Sequence, residues 1–497
     1  MNTFDNTPKP ATRNNYDSDV PPNLLEFMLR SWRPAVVKAP RPLRNAAHFR
    51  ARRERLSQRF PGELLLIPSG HLKVRANDTY YPFRPGTDFY YLTGNLEPDG
   101  VLALLPEGGG HRAVLFVEPN PGKSDATFFT DRVKGELWEG ARPGVPETAA
   151  RCAIECRALG ELGACVLEAR RSAPRARVLR GFSPQTEALV GVDGGKVGDH
   201  DRELGVFLSE MRLIKDLEEV RALRSAVDAT KRGFEDVIAR LRTAKTEREL
   251  EGVFWTRARI EGRDVGYTSI VASGAHACTL HWKHNDGAIH AGDLLLLDAG
   301  IEGNSLYTAD ITRTLPISGT FTREQRAVYE VVLEAQRAAL EMVTPGNDFM
   351  APNKAAMTVL AHGLERLGIL SMPAAEALRD ENQFYRRYSL HNVSHMLGLD
   401  VHDCAQARAE NYRYGKLAPG MVLTIEPGLY FQTDDLTVPA RYRGIGVRIE
   451  DDVLVTPRGR RVLSSILPTE PDDVQDWMRD IWRGGKARRA VRRRRAG

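Results

Sequence analysis

Cysteine is scarce in this 497-residue sequence: there are five, at Cys152, Cys156, Cys165, Cys278 and Cys404. An odd number scattered over so long a chain, with no CxxC pair, excludes a disulfide framework and a cysteine-held structural zinc. It fits a reducing compartment, the cytoplasm. The i, i+4 spacing of Cys152 and Cys156 predicts two buried thiols on one helix face. Long apolar runs are also missing. The longest pure leucine run covers only residues 294–297, far short of the roughly 18–20 apolar residues that span a bilayer, so no membrane segment is expected. The polar start MNTFDNTPKP has no apolar stretch, so no secretory signal is expected. No repeat recurs at solenoid periods. With 42 % hydrophobic and 27 % charged residues, a collagen-like, mucin-like or wholly disordered chain is excluded. The length corresponds to two or three domains at ~100–200 residues each.

The net charge of +5 misleads. Arg483, Lys486, Arg488, Arg489, Arg492, Arg493, Arg494 and Arg495 crowd the C-terminus with no acid among them. Without them the balance becomes −3, so the body is mildly acidic and the basicity sits in a tail. Such a run stays solvated as a rule and is only a weak signal for contact with nucleic acid.

Residues 1–45 read as an extension rich in Pro, Asn and basic residues, in which Leu24, Leu25, Phe27, Met28, Leu29 and Trp32 form one short helix docked on the body. A first domain, 46–208, begins with a charged helix over 48–60. Apolar strands follow over 63–68, 100–105 and 113–117, punctuated by Gly and Pro clusters, and a helical segment lies near 147–159. This is an α/β pattern. A second domain, 209–470, opens with Asp216 and Glu219 as a capping box. Val220, Leu223, Val227, Phe234, Val237, Ile238 and Leu241 then recur at helical spacing. After a helix over 247–261 come strands over 289–301, 305–317, 420–425 and 444–455, with helices over 322–343 and 352–367 between them. The second half is therefore α+β, and residues 471–497 are the basic tail.

Eight of the twelve histidines lie between His276 and His402. In the same region, carboxylates close apolar strands where a core residue belongs, and an ionised carboxylate in a core costs several kcal/mol unless paired or metal-bound. Asp298 ends Leu-Leu-Leu-Leu-Asp-Ala-Gly, and Asp310 follows in Ala-Asp-Ile-Thr-Arg-Thr. A three-residue hairpin loop at 303–305 would set Asp298 directly across from Asp310; a two-residue loop would put them on opposite faces. Facing carboxylates repel, and a cation between them resolves this. For either Asp alone the alternative is a strand-end cap or a salt bridge, with Arg313 as partner. A second cluster holds His391, His395 and His402; the first two share a face if the segment is helical. Glu426 ends another apolar strand before Pro427-Gly428. Alternation places Arg448 and Glu450 on one face of a fourth strand, opposite Val447 and Ile449. Hard oxygen donors with one imidazole suit manganese, cobalt or iron(II) better than a structural zinc. Five ligands are too many for one tetrahedral zinc and suit two neighbouring divalent ions, the arrangement of metal-assisted hydrolysis.

The phrases LLLLDAG, ADITRTLP, HNVSHMLGLDVHD, VLTIEPGLY and GIGVRIEDD resemble, in order and over about residues 209–465, the aminopeptidase P and prolidase branch of the methionine-aminopeptidase-like "pita-bread" metallopeptidases. The segments Arg75–Arg84 and Thr87–Gly94 are similar to the aminopeptidase P form of the N-terminal domain. The resemblance implies an α+β pita-bread catalytic domain behind a smaller α/β domain. It also implies two divalent metal ions, manganese first and cobalt, iron or zinc as alternatives. Asp298 would chelate one ion, Asp310 and Glu450 bridge the pair, and His395 and Glu426 complete the other site. His281, in Thr-Leu-His-Trp, would contact the scissile region, and His391 and His402 match two further histidines of the site. Arg448 and Tyr430 support the substrate pocket, and Glu426 exchanges a proton with a hydroxide held between the metals. The implied activity is that of an Xaa-Pro aminopeptidase, which frees the first residue of a peptide whose second residue is proline; a dipeptide-restricted prolidase is the alternative, and a non-catalytic binding protein on this fold a more distant one. An X-Pro bond has no N–H and a fixed φ, so general peptidases handle it poorly. Asp78 and Trp138 would add to substrate binding across a subunit boundary of a dimer or tetramer. Trp282, where relatives often have Tyr, and Asn392, where Gly is frequent, depart from the pattern.

Overall fold

A computed structural model describes residues 20–33, 40–191 and 198–484. The chain divides between Arg202 and Glu203 into two compact units. The division falls inside the helix Asp199–Met211 rather than just before Ser209.

In the first unit, the apolar runs form one five-stranded sheet. Its order is Glu155–Ala158, Gly110–Val117, Val101–Glu107, Leu64–Pro68 and Ala176–Val178. The three central strands are antiparallel and the two outer ones join in parallel. Alternate residues Leu64, Leu66, Val101, Ala103, Leu105, Val114 and Phe116 pack one face against Leu162 and Val166, the period-2 pattern of a sheet with a core on that side. The helices Ala46–Arg59 and Thr87–Thr93 are also present. One expectation fails here. The helix near 147–159 stops at Cys152, because Ala153 takes a left-handed backbone (φ 49°). Cys156 then lies on the strand Glu155–Ala158, held by main-chain pairing to Val114–Val117. The two thiols therefore do not share a helix face. The short helix of the N-terminal extension is Pro22–Met28, and it buries none of its own residues. Its anchor is Trp32, whose ring lies 6.4 and 6.2 Å from those of Phe128 and Phe129.

The second unit opens on the helix Leu217–Leu241. Asp216 accepts hydrogen bonds from the Glu218 and Glu219 N–H groups, and Glu219 reaches back to the Asp216 N–H. All seven apolar residues at helical spacing are buried, each contributing about 1.5–3 kcal/mol relative to exposure. Glu247–Glu261 packs beside it, with Phe234 and Phe254 edge to face at 6.0 Å. A three-stranded antiparallel sheet sets Leu294–Ala299 between Ile270–Ser273 and Ile311–Pro316. A second joins Val422–Ile425, Asp451–Thr456 and Gly459–Val462, and a two-stranded ladder pairs Gly428–Tyr430 with Gly446–Arg448. The Glu450 N–H donates to Thr312 O and links the two groups of strands. The helices Arg323–Met342 and Ala351–Arg366 lie against each other. The folded part runs on past residue 470, where the tail was expected to begin. The helix Pro471–Trp482 buries Val474, Trp477 and Met478, and the Trp482 indole donates to Ile238 O at 2.7 Å. Of the basic tail, residues 485–497 lie outside the described residues.

Candidate metal centre

The hairpin around Asp298 and Asp310 follows a different register from the expected one. Asp298 pairs with Thr312 and Ala299 with Ile311. The loop has three residues but sits one position later, at 304–306: Gly303 N–H donates to Tyr307 O, Leu306 N–H to Gly303 O, and Leu306 adopts φ 62°. Asp310 therefore lies two residues diagonally from a directly facing position. The shift is by an even number, so both acids stay on the same face. At Gly300 the strands approach so closely that a Cβ would stand 1.7 Å from Ala309 O; glycine alone fits there.

The two acids meet on a residue that sequence reasoning missed. The Tyr267 hydroxyl lies 2.6 Å from Asp298 Oδ1 and 2.5 Å from Asp310 Oδ1. A phenol has one proton to donate, so it can bond one of the two carboxylates at a time. Burial, and then the charge of Asp310, push Asp298 up, against the pull of the Arg448 guanidinium paired with it. Arg313 is not the partner of either acid. Its guanidinium is fully buried and binds Asp451 instead, at 2.8 Å.

His395 does not sit on a helix with His391. Its segment runs extended beside Val422–Ile425: Thr424 N–H donates to His395 O, Glu426 N–H to Val393 O, and Met396 bridges Leu423. This pairing aims His395 Nε2 between Asp310 Oδ2 at 3.3 Å and Glu426 Oε1 at 3.4 Å, while Nδ1 faces Met396 O at 3.2 Å. Burial lowers His395, but the Asp310 hydrogen bond and the Glu426 and Asp310 charges outweigh it and bring it up to about 9. Glu426 is pushed up to about 7 by burial and by the charges of Asp310 and Asp298, against His395 and Arg448. Glu450 is raised well above the usual carboxylate range by burial and by Asp310, Glu426 and Asp298; its Oε2 accepts from Thr312 Oγ1 at 2.6 Å. Asp310, His395 and Glu450 each offer a donor atom within 4.8 Å of the others. The chemistry of this set fits divalent cations. Crowded buried carboxylates and an imidazole hold protons that a cation replaces, and the donors are mostly hard oxygens.

Around them, Arg448 pairs with Asp298, donates from Nη1 to the Tyr430 hydroxyl at 3.1 Å, and donates from Nε to Thr312 Oγ1 at 3.2 Å. The Tyr430 hydroxyl in turn lies 2.8 Å from His391 Nε2, and His391 Nδ1 faces Asn392 O at 2.9 Å. With Nδ1–H donating to that carbonyl, Nε2 accepts from Tyr430, so the imidazole is neutral. Burial and the Arg448 charge keep it so, holding His391 down at about 4. His402 lies with its ring 4.4 Å from that of His395, and burial and the His395 charge lower it. His281 is exposed and lies near enough to His391 and His402 for its charge to depress both.

Asp298, Asp310, His395, Glu426, Glu450, His281, His391, His402, Arg448 and Tyr430 thus gather in one place. Asp78 and Trp138 belong to the other unit. There the Arg132 guanidinium stacks on Trp138 at 4.5 Å and reaches within 4.0 Å of Asp78 Oδ2, a link absent from the sequence reading. Thr312 and Thr424 were also missed. Period-2 alternation from Asp310 and Glu426 puts each on the acid's face, so that signal was available. Tyr267 carried no signal of its own.

The chain matches the model of metallopeptidase family M24 over residues 221–457 and that of the aminopeptidase P N-terminal domain over residues 49–175. It is 49 % identical over 457 residues to Xaa-Pro aminopeptidase 1 of Streptomyces coelicolor, covering 92 % of this chain and 91 % of that one. To the Xaa-Pro aminopeptidase of Escherichia coli it is 32 % identical, covering 86 % and 97 %. Among solved structures it is similar to aminopeptidase P from E. coli with the inhibitor Pro-Leu, with a TM-score of 0.79 and 31 % identity, covering 88 % of this chain and 99 % of that one.

Proposed function

The chain belongs to metallopeptidase family M24, in its aminopeptidase P branch, and on that premise we propose that the carboxylate–histidine cluster is the reaction centre of an Xaa-Pro aminopeptidase. The enzyme hydrolyses the bond between an N-terminal residue and a following proline; restriction to dipeptides is not favoured by relatives that match over nine-tenths of the chain. The observation that carries the site assignment is the convergence of four carboxylates and His395 away from solvent, with burial and mutual repulsion raising Asp298, Glu426 and Glu450 above the ordinary carboxylate range.

In this reading Asp298, Asp310, His395, Glu426 and Glu450 hold two divalent ions, manganese being the one the oxygen-rich set suits. Bound there, such ions supply Lewis acidity and bring the pKa of water near neutrality. The chain's own groups do the rest. Arg448 locks Asp298 on one side and the Tyr430 hydroxyl on the other. Neutral His391 and Tyr430, with ring centroids 5.6 Å apart, form a wall for the proline ring, which needs no N–H partner. Glu426 takes and returns a proton at its carboxylate. His281 and His402 stand at the rim and steady the peptide carbonyls. Asp78 and Trp138, joined by Arg132, meet the substrate of a second copy in a homo-oligomer. The cytoplasm is the compartment that suits five reduced thiols.

The direct test uses chelator-stripped protein. Added manganese restores release of arginine from Arg-Pro-Pro and leaves Ala-Ala-Ala uncut. Cleavage of Ala-Pro alone would make the enzyme a prolidase, and no cleavage with metal bound would overturn the activity.

The same protonations set the stability of the stripped protein. His395 has its folded pKa raised from 6.5 to about 9, so its contribution is complete below pH 6.5 and is lost as pH rises through 9. Glu426, raised to about 7, acts in the same sense up to that pH. His391, held down at about 4, acts oppositely but only below 6.5. The melting temperature of the stripped protein should therefore fall by about 5 °C between pH 6.5 and 9, and manganese should flatten the slope. A stripped protein whose melting temperature holds level across that window would refute the shifts.

A further inference from the structure

His281 forms no hydrogen bond and no ion pair among the described residues, so the loop that carries it sets where its side chain starts from. That backbone is a loop. It leaves the strand Ile270–Ser273, turns once through Gly274–Cys278, and returns past Trp282 and Gly287. No strand pairing runs along it. Asn285 bonds the Val271 N–H and Ser269 O, and Ser273 Oγ donates to Ala288 O at 2.8 Å, at the base of the loop; nearer His281 one carboxylate joins both arms.

Glu247, in the first turn of the helix Glu247–Glu261, is 0 % exposed. Its Oε1 accepts from the Ser273 N–H at 2.7 Å and lies 2.9 Å from His276 Nδ1. Its Oε2 accepts from the Trp282 indole N–H at 2.8 Å and from the Gly287 N–H at 2.8 Å. Two donors thus come from before His281 and two from after it, and each oxygen takes one side of the loop. The Glu247 N–H donates back to Gly287 O at 2.9 Å. At Gly287 a Cβ would stand 2.8 Å from Glu247 Oε1 and 2.6 Å from His276, so the approach depends on glycine. Trp282 stacks on His276 with ring centroids 3.8 Å apart, which joins the two arms above the carboxylate. A buried carboxylate with four donors is fully satisfied. Such a group is stiff, and His281 is the neighbour of one of its four donors.

We propose that Glu247 is the positioning residue for His281, fixing the loop that presents this imidazole to the substrate. The inference rests on the reading of His281 as a group that touches substrate. Glu247→Gln keeps the shape but offers one oxygen where two are needed, and turns an NH2 group toward two donors. A double-mutant cycle separates positioning from general support. Glu247→Gln should lower kcat/KM on Arg-Pro-Pro about 30-fold in the wild-type background, and by no more than about 3-fold in a His281→Ala background. Manganese content should be unchanged in both. If Glu247→Gln fails to fold, Trp282→Phe takes its place: it removes one donor, keeps the ring stack, and should cost about 5-fold with the same loss of effect in His281→Ala. An equal cost in both backgrounds, or none in the wild type, overturns the inference and leaves the role of His281 standing. A fully active His281→Ala overturns both.

Discussion

Glu450→Gln is expected to lower kcat/KM by at least about a thousandfold, while making the metal-free protein harder to melt. Both effects come from the same charge. Bound cations supply several kcal/mol of transition-state stabilisation, and each ~1.36 kcal/mol is worth tenfold in rate. A glutamine still accepts from Thr312 Oγ1, which lies 2.6 Å from Glu450 Oε2, so the local geometry survives. What it loses is one of the two carboxylate donors among the three groups that come within 4.8 Å of one another. Manganese stoichiometry should drop with the activity. In the stripped protein, however, Glu450 sits against Asp310, Glu426 and Asp298 in a buried place that disfavours its charge. Removing that group relieves the crowding, so the stripped variant should melt above the stripped wild type. The site is a place where function is kept at the expense of stability. Full manganese content with wild-type turnover in the variant would refute the assignment of Glu450.

Arg313→Met is expected to have the largest effect on folding, lowering the melting temperature by about 10 °C. Arg313 is among the largest fully buried side chains. It donates to the carbonyls of Thr312, Glu450, Leu467 and Pro468 and to the Asp451 carboxylate. One guanidinium thus fastens the strand of Asp310, the segment of Glu450 and the loop before the final helix. Asp451 is also held by Gln336 and Ser464, so methionine would strand a charge that cannot move. Breaking a buried pair by removing one partner costs about 3–5 kcal/mol, a large share of the ~5–15 kcal/mol that holds a domain together. Asp451→Asn in the Arg313→Met background should recover part of the loss, because the stranded charge is what costs most. Calorimetry on the three proteins checks this; a shift below about 2 °C for Arg313→Met would mean that the network contributes little.

The parts of this molecule legible in the sequence are those set by short-range rules. The capping box at Asp216 and Glu219 and the apolar stripe behind it specify a helix by themselves, and the structure has it over Leu217–Leu241. Several acids closing leucine-rich and valine-rich strands in one region announce a cluster, because a core tolerates such acids only when a cation or a guanidinium meets them. What stayed hidden depends on partners distant in the chain. Tyr267 lies 31 and 43 residues from the acids it joins, and nothing near it is patterned. Arg313 was offered as a partner for the nearby Asp, but it turns to the opposite face of its strand and finds Asp451. The segment after Cys152 has a helical composition, yet becomes a strand because Val114–Val117 offers it a free edge. Glu247 reads as an ordinary first-turn acid, favoured by the helix dipole; only the loop that folds over it makes it the centre of four hydrogen bonds.

The hairpin that carries Asp298 and Asp310 keeps step by an even count, and this constrains how the gene can vary. One extra codon in the turn at 303–307 would rotate every residue of the returning strand to the other side of the sheet, bringing Ala309 and Ile311 where Asp310 and Thr312 belong. A pair of codons would restore the facing. Length at this turn is therefore open to change only in doublets, while the surface loops of the same unit, which set no facing, are free to drift by single residues.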